Sequence, residues 1–167
     1  MPDWVCEILS PANASYDRGP KLAAYARAGG PGGWWILDEP ELKLGHHVLV
    51  PDMAGWRRDR MPTPPLTPQF HLAPDWVCEI VSPDTACKDR MLKLPKYVEF
   101  GVAWAWLMDP AQQLIEAFQA DHGRWVLIGS FMGDDTARIP PFEAVELDLS
   151  AFWDTGEAPV AVEDLAP

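Results

Sequence analysis

Apolar and polar residues alternate in short runs along most of the chain, with proline and glycine between the runs. Residues 75–81 (DWVCEIV) show the pattern. Asp75, Val77, Glu79 and Val81 fall on one side of an extended backbone, and Trp76, Cys78 and Ile80 on the other. Further strand-like runs lie at 2–9, 34–38 (WWILD), 47–51 (HVLVP), 102–108 (VAWAWLM) and 142–149. Residues 114–119 and 124–131 predict a hairpin around Asp121-His122-Gly123. Residues 39–45 read as a turn or a short paired segment. Residues 54–68 read as a loop, because four prolines between Pro62 and Pro68 exclude regular structure. Helical spacing occurs at 88–100, where Met91, Leu94, Tyr97 and Val98 share a face. Ser82-Pro83-Asp84-Thr85 before it can cap a helix, and Gly101 ends it. Pro95 either kinks this helix or marks its true start. Residues 20–28 read as a second helix, with Pro20 in its first turn and Gly29-Gly30 behind it. Ala151–Trp153 is expected as a short terminal turn. Strands, a central helix and further strands predict an α/β (α+β) fold, a mixed sheet with a helix packed on it.

Part of this pattern occurs twice. Residues 2–29 repeat residues 74–101 at a shift of 72, with 16 of 28 positions identical. Among the identities are Glu7/Glu79, Lys21/Lys93 and Tyr25/Tyr97. Two near-identical strands compete for one place in a sheet, which invites swapped dimers.

Composition narrows the classes. The chain has 167 residues, enough for one domain with a core, and 48% of them are hydrophobic. No apolar run is long enough to cross a membrane, and MPDWVCE is not the start of a signal peptide. Cys6, Cys78 and Cys87 have no ligand spacing and read as reduced thiols of a cytoplasmic protein. The net charge of -12 argues against a broad basic surface for nucleic acid. Part of it sits in residues 154–167, an acidic tail of disordered composition. Any contact with phosphates therefore needs a local basic cluster or a bridging cation. Arg57, Arg58 and Arg60, in WRRDR, are the candidate phosphate-binding cluster.

Candidate chemistry centres on three residues. Asp52 follows an apolar run and a proline, and alone would be an ordinary turn aspartate. Glu79 lies inside WVCEIV, where a buried carboxylate is costly unless it is paired, protonated or metal-bound. The bland alternative is an edge strand with Glu79 facing water. Lys93 follows on the helical run and alone would be a solvated lysine. Together, two carboxylates on successive strands and a nearby lysine can hold Mg2+ or Mn2+ against a phosphate. The lysine would then orient water or offset developing charge.

VLVPDMAGWRRDRMP, APDWVCEIVSP, KDRMLKLPKY and WAWLMDP together resemble the Uma2 family of restriction-endonuclease-like proteins, in the PD-(D/E)xK nuclease superfamily. The resemblance covers residues 30–153. It implies a restriction-endonuclease-like core and a Mg2+-dependent (or Mn2+-dependent) endonuclease acting on DNA. Asp52 would be the aspartate of "PD" and Glu79 the acidic residue of "(D/E)xK". Val81 stands where the usual lysine would be, so the lysine is assigned to Lys93. The Val81 carbonyl joins Asp52 and Glu79 as a metal ligand, and Ser82 and Tyr97 support the site. The chain departs from the family at its start. A segment like "YELIDGEL" and a helix are replaced by the first copy, residues 1–29, which has Glu7 and Lys21 but no preceding Pro-Asp strand and cannot complete a site by itself. The alternative is an inactive relative acting through protein association, for instance as a homodimer.

Overall fold

A computed structural model describes residues 33–67, 69–81 and 89–153, with Asp89 and Arg90 given by backbone only. The first repeat copy, Ser82, Cys87 and the acidic tail lie outside the described residues.

The core is a six-stranded sheet in the order β1-β4-β6-β7-β8-β9. Its strands are β1 (Trp34–Asp38), β4 (Met53–Arg57), β6 (Trp76–Ile80), β7 (Trp104–Asp109), β8 (Leu114–Asp121) and β9 (Arg124–Met132). Within this sheet only the β6–β7 pair is parallel; its crossover carries the helix α1 (Leu94–Glu99). The other pairs are antiparallel. A small sheet of β2 (Glu41–Leu44), β3 (His47–Leu49) and β5 (Gln69–Phe70) has β2 in the middle. Strands β10 (Thr136–Ala137) and β11 (Leu147–Asp148) pair with each other, and α2 (Ser150–Trp153) follows. The mixed α+β architecture agrees with the sequence.

Each face of the large sheet has its own core, and β6 contributes to both. Trp76 and Cys78 pack with Trp34, Met53, Trp106 and the C-terminal residues Ile139, Phe142, Leu147 and Leu149. Val77 and Val81 pack on the opposite face with Trp56, Leu42, Leu44, Leu94 and Tyr97. The alternation read from DWVCEIV is thus what the fold uses, and the strand is covered on both sides.

The hairpin also follows the sequence. His122 and Gly123 both have positive φ, 47° and 76°, which suits the tight turn joining β8 and β9.

Four expectations change. The loop expected from residue 54 begins later, because Met53–Arg57 is a strand. Gly55 hid it: a β-carbon there would lie 3.1 Å from both the Trp34 and Trp76 rings, so the strand needs glycine for close packing. The run 47–51 forms a strand only to Leu49, in the small sheet. The helix expected over 88–100 is α-helical only from Leu94; Asp89–Lys93 form a wider π turn. That turn breaks the 3.6-residue spacing, so Met91 leaves the buried face and is 69% exposed. Pro95 lies in the first turn of α1, where its missing N–H costs nothing, and so marks the start. The expected strand 142–149 reduces to Leu147–Asp148, with Phe142 anchoring a turn as core.

Candidate active site

Glu79 sits in β6 with β4 on one side and β7 on the other, and its side chain is fully buried. The edge-strand reading is therefore replaced by a central, dry carboxylate. Its charge is not left bare. Lys93 Nζ donates to Glu79 Oε2 at 2.7 Å, and the Tyr97 hydroxyl donates to Oε1 at 2.5 Å. The local sequence explains both contacts. Lys93 is the last residue before α1 and Tyr97 is four residues on, so the two point the same way, onto the sheet. Lys93 also donates to the Val50 carbonyl at 3.2 Å, which ties the site to the segment after β3.

Asp52 lies just before β4 rather than at the end of the preceding strand. The β4–β6 register pairs Met53 with Cys78, and one step further sets Asp52 opposite Glu79 on the same face. The Ile80 N–H donates to Asp52 Oδ2 at 2.7 Å and fixes that carboxylate's orientation. The structure thus brings Asp52, Glu79, Lys93 and Tyr97 together. Val81 is beside them in sequence, its own N–H donating to the Met108 carbonyl at 2.8 Å.

Electrostatics set the tone of the site. Burial pushes the Glu79 carboxyl up from 4.5 to about 7, even though the hydrogen bonds from Lys93 and Tyr97 and the Lys93 charge pull it down; the Asp52 charge adds to the rise. Such a pair of carboxylates favours a cation. Among the described residues no group of three His, Cys, Asp or Glu side chains converges as a metal cluster. Two carboxylates, each oxygen with two lone pairs, plus one backbone carbonyl still fit a hard cation that completes its shell with water or phosphate oxygens.

The raised value has a measurable consequence. Folded Glu79 holds its proton more tightly than unfolded Glu79, so its stabilising contribution is full below pH 4.5 and is lost as pH rises through about 7. The span amounts to about 3 kcal/mol. In metal-free protein, Glu79→Gln has no such titration. Urea unfolding should therefore show the variant gaining about 3 kcal/mol on the wild type between pH 4.5 and pH 8. A pH-independent difference would count against a strained, buried carboxyl.

The arginines lie elsewhere. Asp75 lies just before β6, about 13 Å along the chain from Glu79. Arg60 Nη1 donates to Asp75 Oδ1 at 2.7 Å, and the Arg57 backbone N–H to Oδ2 at 2.9 Å. The Arg58 guanidinium lies over the Trp35 ring, 4.0 Å from its centroid. These cations stand at the far end of β6 rather than beside the carboxylate pair. Asp75, buried and charged, was the partner that strand alternation alone did not single out.

A mixed α+β sheet with an acidic pair and a lysine on one face is the class of protein in view. The family model Uma2, described as "Putative restriction endonuclease", matches residues 37–150, more than half of the chain, and the chain belongs to this family. The fold is similar to the crystal structure of a protein described as "a putative nuclease belonging to DUF820", from Anabaena variabilis. The TM-score is 0.65 at 21% identity, over 83% of this chain and 78% of that one, a likeness of fold. No curated protein matches the chain. No helix among the described residues is long and apolar enough to cross a membrane.

Proposed function

We propose that the chain is a metal-dependent endonuclease hydrolysing DNA phosphodiester bonds. The observation that carries this reading is the cross-strand pair Asp52 and Glu79 with Lys93 Nζ 2.7 Å from Glu79. Family membership and the nuclease-like fold support it. Asp52, Glu79 and the Val81 carbonyl would hold Mg2+ or Mn2+, oxygen donors for a hard cation. The cation would supply a Lewis acid at the scissile phosphate. Lys93 brings a fixed positive charge to the place where negative charge develops during hydrolysis. Tyr97 holds the Glu79 carboxyl in one orientation, so the pair need not reorganise. The carboxyl of Glu79, poised near pH 7, can give up its proton on cation binding and take it back on release. The arginines could meet DNA only at a distance from the site, as backbone contacts outside the chemistry.

Supercoiled plasmid with Mg2+ or Mn2+ tests the reading. Wild-type protein should nick it, and Asp52→Asn should slow nicking by about 10^2–10^3-fold. Equal rates would mean that the site does not do the work.

A second reading, association with another protein without catalysis, is favoured by β9. This edge strand exposes Val126, Leu127, Ile128 and Met132. It predicts protein that sediments as a dimer and shows no divalent-cation effect on plasmid.

A further inference from the structure

The described residues hold three lysines, and all three stand on or beside one cleft. The cleft lies between β3 and the start of α1 and has a volume of about 540 Å3, within the range of clefts that hold a small organic ligand. Lys93 and Lys96 line it, and Lys43 stands opposite Val48, another lining residue, across the β2–β3 pair. The rest of its wall is largely apolar. Val48 is 56% exposed, Val50 44% and Leu92 62%. Leu92 belongs to the wide turn Asp89–Lys93, which leaves it in the cleft instead of the core. Single exposed apolar side chains are ordinary, but three that line one cleft rimmed by cations are a surface built for a ligand with an apolar face and negative charge.

The cleft is continuous with the acidic pair. Lys93 Nζ donates both to the Val50 carbonyl, at 3.2 Å, and to Glu79 Oε2, at 2.7 Å, so one ammonium belongs to the cleft wall and to the site. Val50 also precedes Asp52 by only two residues. His47 lines the same cleft, its ring held edge-on against Phe100 with centroids 5.9 Å apart. Lys96 donates to Glu99 Oε2 at 2.7 Å, a surface pair whose lysine can turn to a phosphate at little cost.

We infer that the cleft holds an unpaired DNA strand leading to the acidic pair, with base faces on Val48, Val50 and Leu92 and a phosphate next to the scissile one on Lys96 and His47. The substrate class is then single-stranded or locally melted DNA. The inference rests on the proposed nuclease reading for what the cleft serves, and on the cleft itself for what it binds. A track for a duplex needs cations and hydrogen-bond donors, because a duplex presents its backbone and covers each base face with a stacked neighbour. Valine and leucine would have nothing to cover there. An unpaired strand offers both parts, bases with open faces and phosphates between them, and the cleft supplies an apolar wall and a cationic rim for them.

Fluorescence anisotropy with the full, metal-free chain reads this binding apart from cleavage. At pH 6 Glu79 keeps its proton and repels phosphate least. The probes are a labelled single-stranded oligonucleotide and the duplex of the same sequence. The single strand should bind at least about tenfold more tightly than the duplex. Val48→Asp sets a carboxylate on the apolar wall at an exposed position, and should weaken single-strand binding about tenfold while leaving the duplex unchanged. Lys96→Ala should lower the slope of log affinity against log salt by about 0.7, the value for one phosphate contact on a single strand. Both changes lie at the surface, so urea midpoints should stay near wild type. Duplex bound as tightly as the single strand, no binding of the single strand, or variants that bind it like wild type would each overturn the inference. Its failure is separable from that of the nuclease reading. Single-strand binding that both variants weaken, in a chain that never nicks plasmid, would uphold the cleft and sink hydrolysis alone. Nicking that depends on Asp52, with no preference for the single strand, would do the reverse.

Discussion

Replacing Lys93 with alanine should destabilise the protein by about 3–5 kcal/mol at pH 8.5 and by much less at pH 5.5. The change leaves a buried carboxylate without the ammonium 2.7 Å away. Burial already holds Glu79 near pH 7 with Lys93 present. Removing the cation drives that value higher, so the carboxyl stays protonated and tolerable in acid but becomes an unpaired charge in alkali. Urea midpoints of the variant and wild type across pH should therefore diverge as pH rises. On plasmid substrate the same variant should lose about 10^2–10^3 in rate, because a fixed positive charge beside the reacting phosphate is gone. A constant stability difference across pH, with full activity, would show that Lys93 is an ordinary surface lysine.

Phe142→Ala should cost about 3–5 kcal/mol, the other large effect. Phe142 is fully buried and lies among three tryptophans. Its ring centroid is 5.0 Å from Trp34, 5.0 Å from Trp76 and 5.5 Å from Trp106, and the last two are edge-to-face contacts. Removing the ring takes away its burial and each of these pairs, and three large rigid indoles cannot all relax into one hole. The C-terminal segment would lose its anchor on the sheet: Trp106 Nε1 donates to the Pro140 carbonyl two residues away, so that bond should loosen too. A drop in the urea midpoint with an unchanged slope, together with red-shifted tryptophan emission, is the expected readout. A cost below about 1 kcal/mol would mean that the C-terminal segment is not part of the folding core.

The sheet was legible in the sequence where burial is two-sided or the turn chemistry is local. DWVCEIV and VAWAWLM could be read as strands because each residue must suit one of two cores. The His122-Gly123 turn could be read because few residues tolerate positive φ. Glycine concealed Met53–Arg57, since propensity treats Gly55 as a breaker and cannot see the two indoles that require it. The π turn before α1 concealed itself in the same way, because an irregular turn has no sequence period.

The site was legible only in part. Glu79 stood out as a charge inside an apolar strand, and Lys93, fourteen residues on, as a nearby lysine; the resemblance then gave Lys93 the place of the motif's lysine. Asp52 was found as a residue but set on the wrong element, because its role depends on the β4–β6 register, a long-range property. The arginines were read as the phosphate-binding cluster; Asp75, which Arg57 and Arg60 hold, lies beside another strand and is adjacent to them only in three dimensions.

Titration of metal-free protein with Mn2+ by calorimetry, at pH 6 and pH 8, is the most direct measurement. Asp52 stands opposite Glu79 across the β4–β6 pair, so Asp52→Asn is the comparison to make. Wild-type protein should bind with an affinity that rises with pH as Glu79 gives up its proton, and Asp52→Asn should abolish the binding. Equal binding by wild type and Asp52→Asn, with no dependence on pH, would contradict a divalent-cation site shared by Asp52 and Glu79.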